Sequence, residues 1–148
     1  MGCIWYYLGM QPQDKWFDAS QYTFDEAERC LDVGCCNAVA NRSYYAVFQY
    51  VTGFLILLKY TPPSRGCWPH EVLMRNYRTC ICSRFMGRTR SRLVSYFNTL
   101  EMLFNLRIRV DYCGEPFLVG DRGKEVIMKA GNMLRYLRRL KEDGSFSS

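Results

Sequence analysis

One histidine, His70, stands in the whole chain, and none of the eight cysteines forms a C-x2-C pair. A zinc site assembled from spaced thiolate and imidazole pairs is therefore not expected, and neither is any other metal or cofactor. The N-terminus has no cationic stretch leading into a long apolar segment. Cys3, Cys30, Cys35, Cys36, Cys67, Cys80, Cys82 and Cys113 accordingly read as reduced thiols filling core and helix-interface positions, not as a disulfide framework, and a cytoplasmic location is expected.

Proline is scarce, at five of 148 residues, and 49% of the residues are apolar, which excludes a disordered chain. Strand-like alternation of apolar and polar residues never lasts more than a few positions. No apolar run reaches the about twenty residues that cross a bilayer, because the longest, between Arg42 and Lys59, is interrupted by Gln49, Thr52 and Gly53. No membrane association is expected.

What is present is helical periodicity. Residues 43–58 carry no formal charge, and their apolar side chains cover every face, the pattern of a helix surrounded by other helices. This predicts a central helix over 38–60. Ahead of it, Trp16, Phe17, Ala19, Tyr22, Phe24, Ala27, Cys30 and Leu31 recur three or four apart, predicting an amphipathic helix over 14–33 with a break near Thr23, where Glu26 completes a capping-box spacing. Gly34 is its predicted stop, and the short turn predicts a helical hairpin with the central helix. Pro62 and Pro63 end the next segment. Further helices are predicted over 68–85, 89–111 (closed by Gly114, Glu115 and Pro116) and 121–141. The expected fold is an all-α, up-and-down bundle of four to five helices over residues 14–142, with an N-terminal arm at 1–13 and a disordered tail at 143–148. At this length one domain is expected.

Charge is unevenly placed. Residues 1–41 hold two bases against six acids, whereas residues 65–92 hold seven arginines (Arg65, Arg75, Arg78, Arg84, Arg88, Arg90, Arg92) against Glu71 alone. Guanidinium groups attract phosphate and bind it through two parallel hydrogen bonds, so RNA or nucleotide is an expected partner, with Arg75 and Arg78 among its contacts. A solvated basic face is the competing account at a net charge of +6.

Three ordered blocks carry a resemblance. Asn41-Arg42-Ser43-Tyr44-Tyr45-Ala46-Val47-Phe48 lies in the central helix, His70 at the start of the next, and Leu106-Arg107-Ile108-Arg109-Val110-Asp111-Tyr112 at the end of the fourth. Together they resemble the HEPN superfamily of helical domains, in the branch with N-R-x-Y-Y-A-x-F and L-R-x-x-A-D-Y motifs. The resemblance implies a bundle that commonly forms a homodimer and often works with a minimal nucleotidyltransferase as a toxin-antitoxin or defence pair. Many relatives are metal-independent endoribonucleases with an R-x(4-6)-H motif. There, arginine stabilises charge on the phosphate while histidine moves protons.

By this resemblance Arg107, Asp111, Tyr112 and His70 are the candidate catalytic residues, and Arg42, Tyr44 and Tyr45 join Arg75 and Arg78 as candidate binding residues. The chain departs from the motif where histidine is expected: Asp111 or Tyr112 stands there, and neither titrates near neutrality when unperturbed. Arg42 is expected to pair with Asp111 across two helices. Of Tyr44 and Tyr45, one is expected in the core, the other offering its hydroxyl to Arg107, Asp111 or a ligand. Tyr112 is a candidate acceptor of AMP from the partner enzyme. Three readings stay open: a nucleotide- or RNA-binding component, an active ribonuclease toxin, and a non-catalytic dimerisation or interaction module.

Overall fold

Helix α2 (Cys36–Leu57) buries residues on all sides, from Val39 and Ala40 through Tyr44, Val47, Val51 and Phe54. It is surrounded because it contacts every other helix. The computed structural model describes residues 9–63, 66–112 and 121–144. Around α2 stand α1 (Pro12–Asp32), α3 (His70–Asn76), α4 (Gly87–Tyr112) and α5 (Asp121–Asp143). The fold is an all-α helical bundle, with no strand among the described residues.

The α1–α2 hairpin is closed by Gly34 at φ +78°. The Cys35 amide donates to the Cys30 carbonyl at 2.8 Å and the Gly34 amide to Leu31 at 3.1 Å, the paired bonds that satisfy the last carbonyls of a helix. Small residues let the two helices approach closely. The Ser20 hydroxyl donates to the Ala46 carbonyl at 2.6 Å, and a Cβ on Gly53 would stand 2.9 Å from the Phe17 ring and 3.1 Å from the Gln13 carbonyl.

Several boundaries differ from the periodicity. Helix α1 begins at Pro12, so residues 12 and 13 belong to the bundle and not to an arm, and proline suits a first helical turn. No break occurs at Thr23. It lies buried mid-helix on the side carrying Phe17, Ser20 and Ala27, where a small polar residue fits the close contact, so the capping box does not form. At the other end α5 runs on to Asp143.

The segment expected as one helix over 68–85 divides into α3, a wide π turn (Tyr77–Ile81) and a 3-10 turn (Cys82–Arg84). Here Thr79 donates its hydroxyl to the Arg75 carbonyl and Ser83 to that of Thr79. Such back-bonding competes with the helical ladder and bends it. Tyr77 and Ile81 nevertheless bury completely.

Of the α5 residues whose helical spacing predicts that they face inward, Val126, Ala130, Met133, Leu134 and Leu137 bury, while Ile127 is half-buried. On α4, Leu93, Leu100 and Leu103 do, while Tyr96, Phe97, Phe104 and Ile108 are half-exposed. Six cysteines from Cys30 to Cys82 are free thiols. Cys3, Arg65, Cys113, the turn at Gly114, Glu115 and Pro116, and most of the arm and tail lie outside the described residues. No described helix is long and apolar enough to cross a membrane.

Candidate functional site

Arg107 is the only charged side chain among the described residues that is buried, at 8% exposure. It enters from the last turns of α4, four residues before Asp111, which lies one turn on along the same face, and five before Tyr112. Burying a cation is costly unless neighbours replace its water. The neighbours are aromatic. Its guanidinium carbon lies 5.5 Å from the Tyr44 ring, 5.1 Å from Tyr45 and 5.7 Å from Tyr112, within the range where ring quadrupoles attract a cation.

Polar support is weaker. Arg107 Nε stands 3.6 Å from Asp111 Oδ2, Nη2 reaches the Tyr112 hydroxyl at 3.4 Å, and Nε completes no hydrogen bond among the described residues. Among the described residues the guanidinium is thus held by rings while much of its donor capacity stays unspent. Asn41 holds Asp111 in place by donating to Oδ2 at 2.9 Å.

His70, the first residue of α3, closes the cluster. Its Nδ1 hydrogen-bonds the Tyr44 hydroxyl at 2.5 Å, and its ring packs against Phe48 at 4.9 Å and Phe104 at 5.8 Å. Burial first, and the charge of Arg107 second, lower the His70 pKa below 6.5. Burial raises that of the Tyr44 hydroxyl, which keeps its proton. With the imidazole neutral, the Tyr44 hydroxyl donates to Nδ1 when the imidazole proton is on Nε2 and accepts from it when the proton is on Nδ1.

A pH effect follows. Between the lowered folded pKa and the unfolded value of about 6.5, the unfolded chain binds more protons at His70 than the folded one. Stability is therefore full above that window and declines as pH falls through it. Urea midpoints from pH 8 to pH 5 should show this decline, and His70→Gln should flatten it. Equal slopes for the two proteins would exclude His70 as the source.

The structure thus brings together Arg107, Asp111, Tyr112, His70, Tyr44 and Tyr45, from three helices. It places the others elsewhere. Arg42 does not pair with Asp111: its Nε lies 3.4 Å from Glu26 Oε2 of α1, and its side chain is 47% exposed. One step along α2 turns the side chain by about 100°, so Asn41 faces α4 while Arg42 faces α1. Tyr44 is both the core tyrosine and the one with a bonded hydroxyl, and its partner is His70. Tyr45 offers its ring to Arg107.

Arg75 and Arg78 line a separate groove of about 770 Å³ between the α3 segment and α4. Phe104 joins the two regions, since its ring touches His70 on one side and the groove on the other. Asn41, Phe104, Arg90 and Phe97 were not singled out individually from the sequence as site residues. Asn41 sits inside the first motif block, and Arg90 inside the arginine-rich stretch; nothing in the helical spacing of Phe97 or Phe104 separates them from core residues.

A buried arginine set among three tyrosines and a histidine, drawn from three helices, marks the centre of this all-α bundle domain. The HEPN domain profile matches residues 13–142, and the chain belongs to the HEPN family. No curated protein matches it in sequence.

Proposed function

We propose that this HEPN domain binds RNA or a nucleotide through a phosphate held at Arg107, and that it does so without histidine-driven proton transfer. The observation that carries the reading is the Arg107 guanidinium itself, buried, ring-fixed and, among the described residues, without a hydrogen-bond acceptor at Nε. A phosphate oxygen pair supplies what it lacks. His70 favours binding over catalysis, because its Nδ1 is engaged by the Tyr44 hydroxyl and its lowered pKa makes it a weaker base.

Within a toxin-antitoxin or defence pair, the partner is a minimal nucleotidyltransferase, and a second copy of this chain completes a homodimer. Tyr112, 71% exposed and next to Arg107, is the hydroxyl such a partner can reach for transfer of AMP.

The test uses the full chain in chelator-treated buffer with labelled single-stranded and structured RNA, followed by anisotropy and by gel. Binding that weakens with salt and leaves the RNA intact is expected. Metal-free cleavage would overturn this reading in favour of a ribonuclease. Absence of binding to RNA and nucleotides would leave an interaction module.

A further inference from the structure

The turn that closes the α1–α2 hairpin carries a thiol at each of its bonded ends. The Cys35 amide donates to the Cys30 carbonyl at 2.8 Å, outside the inner bond from the Gly34 amide to the Leu31 carbonyl, and Gly34 supplies the left-handed residue at φ +78°. In a helix ending of this kind the first and last residues of the six-residue turn commonly bring their side chains together in an apolar contact. Here both are cysteine.

A disulfide bridges α-carbons about 4.4–6.8 Å apart. A direct carbonyl-to-amide bond, such as the one between Cys30 and Cys35, holds two α-carbons about 6 Å apart, as it does between successive turns of a helix. Cys36 is the competing neighbour, being next to Cys35 in the chain. Its sulfur lies toward α5, 3.8 Å from where a Cβ on Gly123 would stand. The three thiols also differ in access: Cys35 is exposed, Cys30 and Cys36 are half-buried, and all are free.

We propose that Cys30 and Cys35 are a reversible redox modification site, closed to a disulfide by a low-molecular-weight disulfide such as glutathione disulfide. The exposed Cys35 thiolate attacks one sulfur of that disulfide, the sulfur–sulfur bond breaks, and one glutathione thiolate leaves. Cys30, as thiolate, then attacks the Cys35 sulfur of the mixed disulfide and expels the second glutathione thiolate. Two protein thiols are oxidised, one disulfide is reduced to two thiols, and the protons given up by the cysteines pass to the leaving thiolates. The product staples the last turn of α1 to the start of α2, and excess reduced glutathione reopens it.

The full chain is equilibrated in glutathione buffers from fully reduced to fully oxidised, quenched with iodoacetamide and cut with trypsin and Asp-N. Cleavage after Arg29 and Arg42 and before Asp32 separates Cys30 from Cys35 and Cys36, so a bond between the two fragments shows in the mass spectrum. Alkylation of Cys30 and Cys35 is expected to be lost together, in chains that stay monomeric on a non-reducing gel, while Cys36 is still alkylated. Cys35→Ser should abolish the cross-link, Cys36→Ser should leave it, and Cys30→Ser should stop the reaction at the mixed disulfide on Cys35. The cross-linked protein should melt about 5 °C above the reduced one, because the closed loop restricts the unfolded chain.

Cys30 that stays alkylated in the most oxidised buffer overturns the proposal. So does a cross-link that survives Cys35→Ser, or one that joins two chains. A cross-linked protein that melts no higher than the reduced one would mean a bond forced against the native turn, and overturns it too.

Discussion

Arg107→Ala is expected to weaken RNA or nucleotide binding by about 10- to 100-fold, the value of a charge-assisted hydrogen-bond pair worth about 1.5–3 kcal/mol. The reason lies in how the guanidinium is held. The Tyr44, Tyr45 and Tyr112 rings fix its plane without consuming its donors, so little side-chain freedom remains to be lost on binding. Arg107→Lys keeps the charge but loses the fork and the stacking, and is expected to recover only part of the affinity. Anisotropy titrations of the three proteins at one salt concentration, with circular dichroism melts to verify folding, provide the measurement. A folded alanine variant that binds like wild type would remove Arg107 from the site.

The largest stability effect is expected at Tyr77. Its ring is completely buried, and its hydroxyl donates to the Leu93 carbonyl of α4 at 2.7 Å, while burial holds the hydroxyl firmly protonated. Tyr77→Ala removes an aromatic ring from a packed interior and should cost about 3–5 kcal/mol. Tyr77→Phe keeps the ring, loses the one bond, and should cost about 1–2 kcal/mol. For a domain of this size the alanine change lowers the melting temperature by about 10 °C. Thermal melts of both variants separate packing from hydrogen bonding, and equal losses would mean the ring contributes nothing beyond its hydroxyl.

Tyr77 also shows where sequence reading stops. The all-α class was legible because the uncharged run at 43–58 and the stripes of α4 and α5 are long and regular, and tertiary packing reinforces them. The wide turn at Tyr77–Ile81 was not, since apolar spacing there remains compatible with an ordinary helix and the deviation comes from hydroxyls bonding back to the chain. At the site, the three motif blocks brought Arg107, Asp111, His70 and the tyrosines into view. The Arg42 pairing was misassigned because charge alone does not say which of two neighbouring helices a side chain faces. The groove was hidden because its lining comes from the α3 segment and α4, which meet only in the folded chain.

The bond from Asn41 to Asp111 spans 70 residues, whereas the hairpin bonds at Gly34 span a handful. Closing a long loop costs more chain entropy than closing a short one, so the two halves of this bundle differ in how they are secured. The α1–α2 hairpin is held by contacts near in sequence and can persist while α4 loosens. The arginine centre, drawn from α2, α3 and α4, exists only when all three are docked, and its occupancy by a ligand would therefore act as a clasp across contacts far apart in the chain.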